Sequence, residues 1–274
     1  MPLAPQEKTA AFRAMHDAGA PFLIPNPWDA GSARILEGLG FKALATTSAG
    51  FALTLGRRDY AVTRDEALDH CRAVAEAVDI PVTADLENGF GLTSEDAAET
   101  IRRAAQTGLS GGSIEDSSGD RNAPIIDASL AAERIAAAAE AAKAAGNGFV
   151  LTARAEGFLH GQGDLDAVIA RLQSFAEAGA DVLYAPGLPD MEAVRAVCAG
   201  VSKPVNILVI GPLAKHTVAD FAEAGAARLS VGGALAWAAY AALAGAQELL
   251  SEGRFDALNA DRESVKTIAA HLQQ

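Results

Sequence analysis

A chain of 274 residues and 28.0 kDa has room for one large domain or two small ones. Half of it is apolar, and 22 basic against 35 acidic residues leave a formal charge of −13. That balance, with a pI near 4.8 and only 5% aromatics, argues against nucleic acid as the main partner, and two cysteines exclude a disulfide scaffold or a cysteine-based zinc ribbon. The segment Met1–Gly19 carries Lys8, Arg13 and Asp17 and has no apolar h-region, so no signal peptide is expected. The longest apolar run, Ala234–Ala246, falls well short of the roughly 20 residues that span a bilayer. A soluble, cytoplasmic protein that does not enter the membrane is the expectation.

In chain order, a helix over about Gln6–Asp17 precedes a series of short β-rich runs. These are Phe22–Pro25, Ala43–Ser48, Val82–Leu86, Gly112–Glu115, Val150–Arg154, Val182–Ala185, Val205–Val209 and Arg228–Val231. Helical stretches separate them, among them Ser94–Thr107, Ser129–Ala145, Leu165–Ala178 and Met191–Ala199. Gly108, Gly146, Gly179 and Gly225 follow helices, as left-handed C-caps do. Pro81 and Pro204 lead directly into strands, where a missing N–H is tolerated. Eight strands alternating with helices over one uninterrupted chain predict an α/β fold, a (β/α)8 TIM barrel over residues 1–274 with a helical tail after Arg254. A doubly wound open sheet is the rival. No G-x-G-x-x-G follows the first strand, and eight strands suit closure better.

A barrel presents its working groups at the C-terminal ends of the strands. The third strand ends in Asp85-Leu86-Glu87-Asn88-Gly89-Phe90-Gly91 and the fourth in Ile114-Glu115-Asp116. Four acids on neighbouring strand ends repel one another unless a cation sits among them. Oxygen-only ligands without a histidine pair suit magnesium or manganese. The plainer alternative is that the acids cap the following helices or are solvated. The fifth strand ends in Arg154, whose planar fork suits a substrate carboxylate, or else simply neutralises the acids. Thr46, Thr47, Ser48, Ala49 and Gly50 follow the second strand, with backbone N–H groups that can face an anion.

Together these segments resemble the isocitrate lyase and phosphoenolpyruvate mutase superfamily, over nearly the whole chain from Pro25-Asn26-Pro27-Trp28-Asp29 to Ser230-Val231-Gly232-Gly233. Asp85-Leu86-Glu87-Asn88-Gly89-Phe90-Gly91 is similar to that family's Asp-x-Asp/Glu-x-Gly-Tyr/Phe-Gly signature, and Ile114-Glu115-Asp116 and Ala153-Arg154 match its next landmarks. The resemblance implies a magnesium-dependent lyase whose ligand is a 2-oxo or dicarboxylic acid or its enolate. By that similarity Asp85 touches the metal (Mg2+, with Mn2+ as a substitute) and the substrate, while Glu87 and Glu115 hold metal-bound waters. Thr47, Ser48, Ala49 and Gly50 bind the substrate carboxylate, Arg154 clamps it, and Asp59 lies near the reacting centre. It also implies a homo-oligomer, a dimer or tetramer, in which the last barrel helix is exchanged between subunits.

The loop after the fourth strand departs from the family. Lyases of the superfamily carry a Lys-Lys-Cys-Gly-His sequence there; here the loop reads Ser117-Ser118-Gly119-Asp120-Arg121-Asn122. Asn122 matches an asparagine of the mutase and phosphonopyruvate-hydrolase members, and Arg121 offers charge without a titratable amine. Both are candidate catalytic residues. Cys71 and Cys198 read as core thiols rather than replacements. Carbon–carbon cleavage or decarboxylation of an oxaloacetate-, isocitrate- or malate-like acid is therefore the expected reaction. Phosphoenolpyruvate or phosphonopyruvate P–C chemistry, a non-catalytic 2-oxo-acid binder and a phosphate-handle enzyme using Gly232 and Gly233 are the alternatives. Asn206 is a candidate substrate contact and His160 a candidate proton carrier, although a surface histidine is the plainer reading. His216 reads as a helix-start residue and Trp28 as core.

Overall fold

The computed structural model describes residues 4–255 and 261–272. Its strands are β1 (Phe22–Ile24), β2 (Leu44–Ala45), β3 (Val82–Asp85), β4 (Gly111–Glu115), β5 (Val150–Arg154), β6 (Val182–Tyr184), β7 (Val205–Leu208) and β8 (Arg228–Ser230). Every ladder is parallel, in the order β1-β8-β7-β6-β5-β4-β3-β2. This is the (β/α)8 barrel expected from the sequence. Each expected strand is present, and the largest shortening is at β2. There Thr47 accepts a hydrogen bond from the Gly50 N–H and starts a helix where extended chain was expected.

The barrel closes between β1 and β2 without a ladder. The Ala45 N–H donates to the Pro25 carbonyl at 3.1 Å. Beside it, the buried Asn26 amide donates from Nδ2 to the Thr46 carbonyl at 3.2 Å and accepts from the Val231 N–H at 3.0 Å. One side chain thus ties the ends of β1, β2 and β8 together. It satisfies backbone groups that the missing ladder leaves open.

The helices are α1 (Pro5–His16), α2 (Ala30–Gly38), α3 (Ser48–Thr54), α4 (Arg64–Ala77), α5 (Ser94–Ala104), α6 (Ala128–Ala144), α7 (Leu165–Glu177), α8 (Met191–Gly200), α9 (Val218–Glu223), α10 (Ala234–Ala241), α11 (Gly245–Glu252) and α12 (Arg262–Ala269). The four glycines read as caps all have φ between 69° and 105°. The main apolar layer lies between the helices and the outside of the barrel, with Leu86, Ile101, Ile114, Leu151, Leu172 and Phe175 fully buried.

Helix α1 seals the N-terminal end of the barrel. Phe12 is fully buried against Ile24, Ala43, Val150 and Val182, and Arg13 pairs with Asp181 at 2.8 Å. The opposite end is left open for chemistry. Past β8, α10 is built of Ala, Leu, Trp and Tyr, yet Ala236 is its one buried residue. Trp237, Leu243, Leu250 and Ile268 are exposed along α10–α12. Among the described residues no helix is long and apolar enough to cross a membrane.

Because Phe12 fills the barrel floor, Phe12→Ala is expected to cost about 3–5 kcal/mol of stability, as aromatic truncations in a packed core do. Urea unfolding of the variant against the parent reads this as a lower midpoint at unchanged slope.

Candidate active site

Inward-facing residues alternate along a strand, and this decides which strand-end acids meet. Asp85 and Glu115 face the barrel axis and line a cavity of about 250 Å³ that opens at the C-terminal end. Asp116, one residue beyond Glu115, is turned outward. It accepts from the Glu156 N–H at 2.7 Å and pairs with Arg171 of α7 at 3.2 Å. The expected set of four converging acids is corrected accordingly: Asp116 is spoken for outside the cavity, and Glu156 takes a place within it.

The cation among these acids is Arg154. Its Nη1 lies 2.8 Å from Asp85 Oδ1, its Nη2 3.1 Å from Glu115 Oε2, and its Nε 2.9 Å from Glu156 Oε1. The Tyr184 ring lies beneath the guanidinium at 5.1 Å. Burial opposes the charge, but Glu156, Asp85 and Glu115 together hold Arg154 protonated beyond its ordinary range. Burial likewise pushes the Glu115 carboxyl upward against the pull of Arg154, and lifts Glu156 to about 7. In this state Arg154 neutralises acids with all three nitrogens.

Asp85 is held on its other side by α3. Ser48 donates to Asp85 Oδ2 from its backbone N–H at 3.3 Å and from its hydroxyl at 3.1 Å, and the Asp85 N–H donates to Thr46 Oγ1. Thr47, Ser48 and Ala49 line the cavity, while Gly50 packs so tightly that a Cβ there would meet Thr47 Cγ2 at 2.6 Å. Two expected donors are thus already engaged, the Ser48 N–H with Asp85 and the Gly50 N–H with Thr47.

Glu87 lies on a turn that needs left-handed backbone at Glu87 (φ 49°), Gly89 (φ 79°) and Phe90 (φ 59°). A Cβ at Gly89 would sit 3.1 Å from the Ala97 backbone, so the glycine of this signature is sterically required. The Glu87 Oε1 is buried with no hydrogen-bond partner. Burial, then Asp85 and Asp59, lift its pKa to about 8. Asp59, at the cavity lip on the loop between α3 and α4, is raised by burial and by Asp85.

An unsatisfied carboxylate oxygen beside two further acids fits a divalent cation. Among the described residues no three His, Cys, Asp or Glu side chains converge closely enough to hold one directly. The donor set therefore suits an ion with one protein ligand and several waters.

The structure leaves Arg121 and Asn122 outside the cavity. Both are exposed, and Asn122 bonds to Asp120 Oδ1 through its N–H at 2.9 Å and its amide at 3.3 Å. Loop-internal bonds, including Ser118 N–H to the Pro124 carbonyl, hold this segment to itself. Asn206 is buried on the cavity wall, but its amide serves Arg228 and Ser230. His160 is exposed at the mouth, and His216 sits just before α9, near Asp220 at 3.8 Å. Burial pushes Cys71 to about 12 and Cys198 to about 11, as befits inert thiols.

Sequence reasoning missed Tyr60 and Tyr184. The Tyr60 hydroxyl donates to Glu115 from the loop that carries Asp59, with its backbone at φ 62°.

Residues 12–250 match the family model for phosphoenolpyruvate phosphomutase. The chain belongs to that family. It thereby joins the isocitrate lyase and phosphoenolpyruvate mutase superfamily, as the signature residues implied. A solved structure of lyase/mutase type from Burkholderia cenocepacia J2315 is 46% identical, covers 97% of this chain and 96% of its own, and superposes with a TM-score of 0.90. The 2-methylisocitrate lyase of Escherichia coli K12 is 29% identical, over 78% of this chain and 74% of that enzyme. The oxaloacetate decarboxylase of Pseudomonas savastanoi pv. phaseolicola is 27% identical, over 91% and 86%. A phosphonopyruvate hydrolase solved with oxalate and Mg++ shares the fold, at 23% identity over 96% of this chain and 95% of its own, with a TM-score of 0.82. These relatives place the chain with the superfamily's lyases.

In the metal-free protein Glu87 keeps its proton up to about pH 8, whereas in the unfolded chain it ionises near 4.5. The folded state therefore binds more protons between those values, and the stability due to Glu87 falls as pH rises through that window. Thermal unfolding of metal-free protein at pH 5, 7 and 9 is expected to show a smaller decline in Glu87→Gln than in the parent.

Proposed function

We propose that the chain is a magnesium-dependent enzyme that cleaves or decarboxylates a C–C bond in an oxaloacetate-, isocitrate- or malate-like acid through a 2-oxo acid or its enolate. The observation that carries this reading is the buried, partnerless Glu87 Oε1 in a small cavity that it shares with Asp85, whose carboxylate also lines the larger cavity around Arg154. Asp85 is assigned as the direct ligand, with Glu87 and Glu115 holding the ion's waters; manganese suits the same oxygens. When bound, the ion supplies positive charge where an enolate oxygen develops negative charge.

The remaining work falls to the chain's own groups. Ser48 and Ala49 start α3 at the cavity wall and orient the substrate carboxylate together with Arg154, while the Gly50 N–H stays with Thr47. Arg154 Nη1 holds Asp85 at 2.8 Å and would be free in part for the substrate carboxylate were Asp85 to serve a cation instead. Asp59, its pKa raised beside Asp85, is placed to hold or take a proton at the cavity lip.

Magnesium with oxalate is expected to raise the melting temperature, and Asp85→Ala to abolish the effect. Oxalate stabilisation that persists in EDTA would sink the metal assignment. Arg154→Lys keeps charge without the fork, and titration calorimetry should show weaker oxalate binding with magnesium affinity nearly intact. A turnover screen over oxaloacetate, phosphonopyruvate, isocitrate, methylisocitrate and substituted malates then identifies the reaction.

The apolar faces left open on α10–α12 support assembly into a dimer or tetramer. Light scattering at micromolar concentration should return a multiple of 28.0 kDa; a monomer would count against it.

A further inference from the structure

The cavity does not stop at the acids. It continues down the barrel to a polar layer formed by Thr152 of β5, Asn206 of β7 and Arg228 of β8, all of which line it. Arg228 is buried, 4% exposed, and differs from the other buried arginines. Arg154 has three carboxylates, and Arg171 has Asp116. Arg134 is spent on the backbone carbonyls of Asn88 and Thr93.

Arg228 has neither acid nor carbonyl among the described residues. Its Nε donates to Asn206 Oδ1 at 2.8 Å and its Nη2 to Thr152 Oγ1 at 3.2 Å, while Nη1 lies 3.5 Å from His16 Nε2. Burial drives the His16 pKa down to about 3, so the imidazole adds no charge. Burial also lowers Arg228, to about 10, which leaves it a cation at neutral pH. Three neutral partners do not exhaust the five N–H bonds of a guanidinium. A buried cation without a counter-charge is costly to hold.

We propose that Arg228, positioned by Asn206 and Thr152, is an anion subsite on the cavity floor that takes the distal carboxylate of a dicarboxylic substrate. The substrate then lies along the barrel axis, its reacting end at Arg154 and Asp85 and its tail below. Thr152 and Arg154 are two residues apart on β5, so the two ends are separated by about 6–7 Å, a distance a short aliphatic diacid spans. A four- to six-carbon acid with carboxylates at both ends is favoured over a monocarboxylate such as pyruvate. The charge pattern agrees, since an acid-rich mouth and a lone cation below it draw the second carboxylate inward.

The assignment rests on the reading of the upper site, and the test separates the two. Calorimetry compares wild type with Arg228→Met, using oxalate and 2-oxoglutarate with magnesium, and succinate in EDTA. Oxalate is too short to reach the floor, so its affinity should be unchanged. Affinity for 2-oxoglutarate and succinate should fall roughly 10–100-fold, the worth of a charge-assisted contact. Arg228→Lys should fall between the two and guards against misfolding of the Met variant. The melting temperature of Arg228→Met should hold or rise, because an unpaired buried charge has been removed.

Equal losses for oxalate and the longer acids, with a lower melting temperature, would make Arg228 a structural strut and overturn the proposal. Unchanged affinity for the longer acids would overturn it too. Wild-type protein that ignores magnesium and oxalate but loses succinate binding in Arg228→Met would sink the upper-site reading and leave the floor site standing.

Discussion

The mouth of this barrel is organised by a single guanidinium. Two strands end in carboxylates and a third acid follows β5, and left alone the three would push one another apart in a low-dielectric cavity. Arg154 holds one oxygen from each of Asp85, Glu115 and Glu156 within 3.1 Å. The arrangement is dear in desolvation, and the Tyr184 ring beneath the guanidinium and Ser48 behind Asp85 offset part of that cost. Its value lies in geometry: a fork with fixed angles sets the spacing of the oxygens before any ligand arrives. Even where one of these oxygens is given up to a ligand, the other two contacts keep the fork in place, which limits reorganisation.

The backbone around this fork is strained where it serves the site. Tyr60, Glu87 and Phe90 all occupy the left-handed region despite carrying side chains, a conformation that persists only where its surroundings over-determine it. Each of the three lies on a segment that brings an acid or a hydroxyl to the cavity. The fold provides eight strand ends, and these turns decide where the side chains beyond them are aimed.

Much of the architecture was legible in the sequence because it is written locally. Glycines after amphipathic helices, prolines before strands and acids at strand ends each act within a few residues of themselves, and the barrel follows from their repetition. The outward turn of Asp116 was also readable in principle, since it lies one residue beyond Glu115 and side chains alternate. Tyr60 and Tyr184 were not, because a phenol's meaning depends on which distant strand it faces. The 117–126 loop is a related case: resemblance to the family put Asn122 at a catalytic position, whereas short-range bonds to Asp120 hold it outside the cavity. Arg228 left a signal that went unread. An arginine set inside a short β run, two residues before an inward-facing serine, must point into the barrel.

The plug formed by α1 bears on the order in which the molecule can assemble. Phe12 rests on Val150 and Val182, and Arg13 on Asp181, partners far along the chain. During synthesis the apolar face of α1 emerges long before β5 and β6 exist to receive it, and such long-range closure is slow. Contacts of α1 therefore wait for strands well over a hundred residues further along the chain. Until β5 and β6 exist, the Phe12 ring has no apolar floor to rest on.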